Sequence, residues 1–147
     1  MALLAVGLWL FGLPATTGPN AASHDELEGC PTSIEVHEKL AGRFPGWTEG
    51  RTAEPHRLAS VTLFDGPPEQ GASLVGDEQT PSETEMVVRW SFTEHQRPYW
   101  LSCSYANTGV TLSRSIPPRI RSCSVTYARR VLIAGMPQVL RIDCTGP

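Results

Sequence analysis

The chain has 147 residues, with 12 basic and 15 acidic side chains, a net charge of −3 and 40% apolar residues. That length suits one domain around one core, and the charge excludes nonspecific nucleic-acid binding, which needs a strongly basic surface. Four cysteines, Cys30, Cys103, Cys123 and Cys144, stand behind an apolar N-terminal stretch. An even cysteine count after an export signal reads as a disulfide framework made in an oxidising compartment.

Residues 1–13 (MALLAVGLWLFGL) are all apolar or small. They suit the apolar segment of a signal peptide and fall short of the roughly 20 residues that span a bilayer. The small residues Asn20, Ala21 and Ala22 place cleavage after Ala22. The expected organisation is therefore a signal peptide over 1–22, a flexible acidic arm over 23–29 and a disulfide-linked β domain over 30–147. Residues 27–30 outline a lipobox, but Glu28 is wrong for one and polar residues separate it from the apolar run. Cys30 thus reads as a disulfide partner. No second long apolar run follows, so the expectation is a periplasmic or secreted protein without stable membrane insertion after cleavage.

Taken in chain order, residues 33–38 alternate and read as a strand, with a short helix left open by the spacing of Ile34, His37 and Lys39-Leu40, and 42–55 read as a loop around Pro45, Gly46 and Trp47. Residues 57–64 form a second strand, in which Leu58 and Leu63 do not share one alternation. It ends at Asp65-Gly-Pro-Pro68, because proline cannot donate to a ladder and glycine permits the turn. Residues 66–85 read as a long surface loop interrupted by a short strand at 72–75. The segment 85–92 is a strong strand, with Met86, Val88, Trp90 and Phe92 on one face at period two. The segment 98–105 follows, with Tyr99, Leu101, Cys103 and Tyr105 together, and 106–109 turns the chain into a hairpin partner at 110–113. Pro117 and Pro118 break the pattern. A strand at 122–127 carries Cys123, Val125 and Tyr127 on one face, 130–135 is a short apolar run, and 139–144 is the last strand. The fold class is all-β: a single small domain, mostly antiparallel meander, forming a sandwich or open barrel stapled by disulfides.

Four cysteines allow three pairings. Cys103 and Cys123 both lie on the apolar faces of strands that flank the 110–112 arm, which favours Cys103 with Cys123 and, by elimination, Cys30 with Cys144. Spacings of 73, 20 and 21 residues, with no C-x₂-C pair, disfavour a zinc site and a thiol redox centre.

Chemistry is sparse. His37-Glu38 opens like a zinc-protease helix, but the position of the second ligand is Ala41. His24, His56 and His95 are scattered and read as solvated surface. No G-x-S-x-G elbow marks a nucleophile. Glu69, Asp77 and Glu78 lack the regular ligand spacing of a calcium loop. No catalytic residue, metal or cofactor is expected. Trp90 reads as core, whereas Trp100 points away from the Cys103 face with Ser102 and Ser104 beside it. Trp100, Asp65 and Glu69 form the candidate binding surface. From 96 to 142 the chain carries seven arginines and no acid, while acids dominate 54–94. Folding is expected to bring these halves together or leave them as solvated faces.

The segments VTLFDGPPE (61–69), RPYWLSCSY (97–105), CSVTY (123–127) and IDC (142–144), with Cys30-Pro31 and PGWT (45–48), resemble a family of small exported proteobacterial proteins. That family is named after an enterobacterial locus and has no assigned activity. The resemblance covers 30–144 and implies export and four paired cysteines, with no catalytic residues to carry over. The functional expectation is a non-catalytic periplasmic module that binds an envelope protein or wall component, one version being an immunity-type inhibitor of an envelope-directed toxin. The alternative is an envelope hydrolase acting on wall or glycan, which requires a cleft with two carboxylates or a Ser/His pair.

Overall fold

The computed structural model describes residues 29–50, 54–94 and 96–146. The expected signal peptide and all but the last residue of the acidic arm lie outside the described residues. The strands are β1 (Ser33–Ile34), β2 (His56–Asp65), β3 (Glu78–Pro81), β4 (Glu85–Ser91), β5 (Tyr99–Tyr105), β6 (Thr111–Ser115), β7 (Ser122–Ile133) and β8 (Met136–Thr145). One short 3₁₀ turn at Pro68–Gln70 is the helical element among the described residues. All pairing is antiparallel, in two four-stranded sheets ordered β1-β2-β5-β6 and β3-β4-β7-β8. The all-β, two-sheet, disulfide-stapled architecture agrees with the sequence. Successive strand pairs alternate between the sheets, so each sheet is completed by a long-range ladder, β2 on β5 or β4 on β7.

The inward faces meet in one core. Leu58, Val61 and Leu63 of β2 and Leu101, Cys103 and Tyr105 of β5 pack against Val88 and Trp90 of β4 and Cys123 and Val125 of β7. Phe92, Ile116 and Ile120 close the end where the chain crosses between sheets. The broken alternation of β2 has a physical cause: the register shifts between Leu58 and Ser60. A bulge there re-phases the strand, so Leu58 and Leu63 both reach the core.

Four expectations about elements are revised. The strand expected over 33–38 stops at Ile34, which pairs with His56 at the start of β2. The next partner would be Pro55, which has no N–H to donate. The expected strand at 72–75 is reduced to a single bridge, Phe64 with Ser73. The surface loop 66–85 contains β3, which is exposed at every position and ends on Pro81, as suits an edge strand. The separate segments 122–127 and 130–135 are one continuous strand, β7, joined to β8 by Ala134 and Gly135. Both turn residues have positive φ, 50° and 82°, the requirement of a type I′ hairpin. Alanine is a poor signal for that turn.

The disulfide pairing differs from the one expected. Cys30 is bonded to Cys103, and Cys123 to Cys144. The expectation assumed that the strands of Cys103 and Cys123 flank the β6 arm in one sheet. Instead β6 is an edge, the chain leaves the sheet after it, and β5 and β7 belong to different sheets. Cys123 and Cys144 stand directly opposite in the β7–β8 ladder, with Cα atoms 4.0 Å apart. Cys30 approaches β5 from the N-terminal segment, where Tyr105 Oη also donates to Pro31 O at 3.1 Å.

Two expected outcomes follow from this packing. Nonreducing peptide mapping recovers Cys30 with Cys103 and Cys123 with Cys144. Replacing the first pair by alanine lowers unfolding free energy by about 4 kcal/mol and the second by about 3 kcal/mol, from the closed-loop lengths of 73 and 21 residues. Burial pushes the Tyr105 and Tyr127 phenols up from their ordinary value of 10.0. The folded state therefore keeps protons that the unfolded chain releases. Stability is unaffected by these groups below about pH 10 and falls as pH rises beyond it. Denaturation midpoints measured from pH 9 to 11 show this decline, and it is shallower in Tyr105→Phe and Tyr127→Phe.

Candidate interaction surface

Trp100 lies half-buried on the outer face of the first sheet, between Phe64 of β2 and Ser115 of β6. Its indole N–H is buried without a hydrogen-bond partner among the described residues. The same face continues through Ser60, Thr62, Ser102 and Ser113, where Ser113 Oγ donates to Ser102 Oγ at 2.9 Å. Asp65, at the end of β2, accepts from Arg97 Nη2 at 3.4 Å, and Arg97 Nη1 donates to Gln70 Oε1 at 3.3 Å. Asp65 therefore helps close the Gly-Pro-Pro turn onto the segment before β5, where Gly66 N also donates to Pro98 O. Glu69 sits exposed on the 3₁₀ turn. The structure thus places Asp65 and Trp100 near one end of the sheet, with Asp65 committed to an ion pair and Trp100 partly covered.

The arginines are dispersed. Arg97 meets Asp65 and Arg121 meets Glu94, so both join the arginine-rich segment to the acidic one. Arg141 pairs with Asp143, and Arg129 Nη1 donates to Ser82 O in the β3–β4 turn. Arg130 is exposed and has no carboxylate partner among the described residues.

Sequence reading missed the largest apolar exposure on an ordered element. Val131 and Leu132 of β7 and Met136 and Leu140 of β8 are 50%, 60%, 49% and 47% exposed. The run Val131-Leu-Ile133 reads as core by composition. However, consecutive apolar residues on an antiparallel strand face opposite sides, so a run without alternation signals exposure unless both sides are covered. A second apolar exposure, Leu40, Phe44 and Trp47, belongs to the loop between β1 and β2.

An open groove of about 610 Å³ gathers Glu35, Glu38, Glu49, Glu54, His37 and His56. All four glutamates are exposed, Glu38 accepts from Thr108 Oγ1 at 2.6 Å, and Glu49 accepts from Leu40 N. A carboxylate acts as a general acid or base when it is held within hydrogen-bond reach of the reacting proton; these four belong to exposed segments of the chain. His56, expected at the surface, is half-buried, with Nδ1 2.8 Å from Ala106 O. His24 and His95 lie outside the described residues. Asp77 accepts from Ser91 N at 2.6 Å and so ties the start of β3 to β4. Among the described residues no group of three or more His, Cys, Asp or Glu is arranged to hold a metal.

With this geometry in place, comparison with known proteins adds one finding. The family model described as "Type VI secretion system Tli immunity protein" matches residues 52–145. The match runs from just before β2 to the end of β8 and so includes most of both sheets, the Cys123–Cys144 bridge and the exposed hairpin. No curated protein and no solved structure matches the chain. The resemblance read from the sequence carried no assigned role, whereas the matched family is described by one. The chain belongs to the type VI secretion system Tli immunity protein family.

Proposed function

We propose that this protein is a non-catalytic immunity factor that neutralises a type VI toxin by stoichiometric binding in the periplasm. The observation that carries this reading is the family match over 52–145. The two disulfides support a compartment where thiols are oxidised. The apolar leader supports export to reach it. Binding rather than chemistry suits a body that displays apolar side chains on its β7–β8 hairpin while carboxylates such as Asp65, Glu94 and Asp143 are engaged in ion pairs. An inhibitor of this kind acts by occluding the toxin, so its action scales with its amount.

Co-expression tests the proposal. Each type VI effector of the same genome is directed to the periplasm, with the full-length chain supplied from a second promoter. The expected result is restored growth against one effector. A chain lacking residues 1–22 does not protect, and titration of the purified toxin gives full inhibition at one equivalent. Inhibition at far below one equivalent would instead indicate turnover and favour the hydrolase. Protection by the leaderless chain would overturn the periplasmic assignment.

A further inference from the structure

The β7–β8 hairpin outreaches its own sheet. β4 supports β7 only as far as Ala128, which pairs with Glu85, and a last bond runs from Arg129 N to Thr84 O. Beyond that point residues 130–138 form a ribbon of two strands, and a two-stranded ribbon alone is at best marginally stable in water. This one nevertheless carries three large apolar side chains, Val131, Leu132 and Met136, into solvent. Val131 and Leu132 face opposite sides of the strand, so the apolar side chains lie on both faces of the ribbon and are covered together only by a partner that encloses it.

Three features define what fits it. The tip turn is Ala134-Gly135, so the end is narrow enough to enter a cleft. The apolar side chains are accompanied by Arg129 and Arg130, and neither has a carboxylate partner among the described residues. No acidic residue occurs between positions 96 and 142, so the ribbon has no negative charge of its own. The complementary surface is therefore an apolar cleft with a carboxylate rim. From this charge complementarity, and resting on the immunity reading above, we infer that the β7–β8 hairpin is the element that docks into a cleft of the toxin, with Leu132 as the apolar anchor and Arg130 as the charge that meets the rim.

The probe is the effector against which the unchanged chain protects. Leu132→Asp places a charge at the centre of the contact and is expected to weaken binding by at least a hundredfold. Arg130→Glu is expected to weaken it by about tenfold and to remove most of its salt dependence. Both residues are exposed, so thermal unfolding and the disulfide map stay those of the parent. Glu69→Gln, on the 3₁₀ turn, and Trp100→Phe, on the other sheet, leave affinity unchanged. Hairpin variants that bind and protect like the parent would overturn the hairpin assignment while leaving the immunity role intact. Loss on Trp100→Phe or Glu69→Gln alone would move the site to that face. Failure of the unchanged chain to bind any effector would overturn the immunity reading itself.

Discussion

The fold depends on two antiparallel sheets pressing their inner faces together around Cys123 and Cys144, which are buried to 1% and 0% exposure beside Leu63, Leu101 and Val125. Because strand pairs alternate between sheets, neither sheet can be completed from neighbouring segments. β2 must wait for β5, and β4 for β7. Such long-range ladders carry a loop-closure entropy that local hairpins avoid. The two crosslinks act on different parts of this problem. Cys123–Cys144 joins strands that are already adjacent in chain and space, whereas Cys30–Cys103 fastens the N-terminal segment across 73 residues to a central strand of the first sheet. The second therefore restricts the unfolded chain more, and the first sits deeper in the core.

Much of this organisation was legible because the core strands are amphipathic. In β4 and β5 the alternation of Met86, Val88, Trp90 and of Tyr99, Leu101, Cys103, Tyr105 identifies the buried face directly. β2 hid its face because a bulge lets Leu58 and Leu63 share a side that simple alternation denies them. β3 was invisible because an edge strand that buries nothing has no periodic signal, and its Glu and Pro read as loop. The disulfide pairing was illegible for another reason. It follows from which hairpins share a sheet, and local alternation gives the face of a cysteine but not the sheet it joins.

The interaction surface was harder still to read. Trp100 stands out by residue type and by its position opposite the core face, and the structure confirms that placement. What composition could not separate is an apolar residue that is buried from one that is displayed. Val131, Leu132 and Ile133 look like core in the sequence, and only the end of the β4 ladder at Ala128 shows that β7 has passed beyond its cover. Asp65 shows what residue type alone does not tell: its carboxylate accepts from Arg97 and helps close a turn. Of the arginine-rich segment, Arg97 and Arg121 are paired with acids from the preceding half, whereas Arg130 is exposed.

The position of the Cys123–Cys144 bridge connects stability to recognition. Its closed loop is the β7–β8 hairpin itself, so the crosslink clamps the base of the ribbon whose tip carries Leu132 and Met136. Between clamp and tip the register shifts twice, at Thr126/Tyr127 and between Tyr127 and Leu132. Irregularities of this kind bend and twist a ribbon and so set the direction of its end. Arg129 adds a brace by bonding to Ser82 O in the β3–β4 turn. A ribbon clamped at its base, bent by its ladder and braced at its flank holds its apolar side chains in one arrangement before any partner arrives. The ordering cost that a mobile loop would meet on binding is thereby met during folding instead. Oxidation of one cysteine pair thus serves both the core and the presentation of the surface that extends from it.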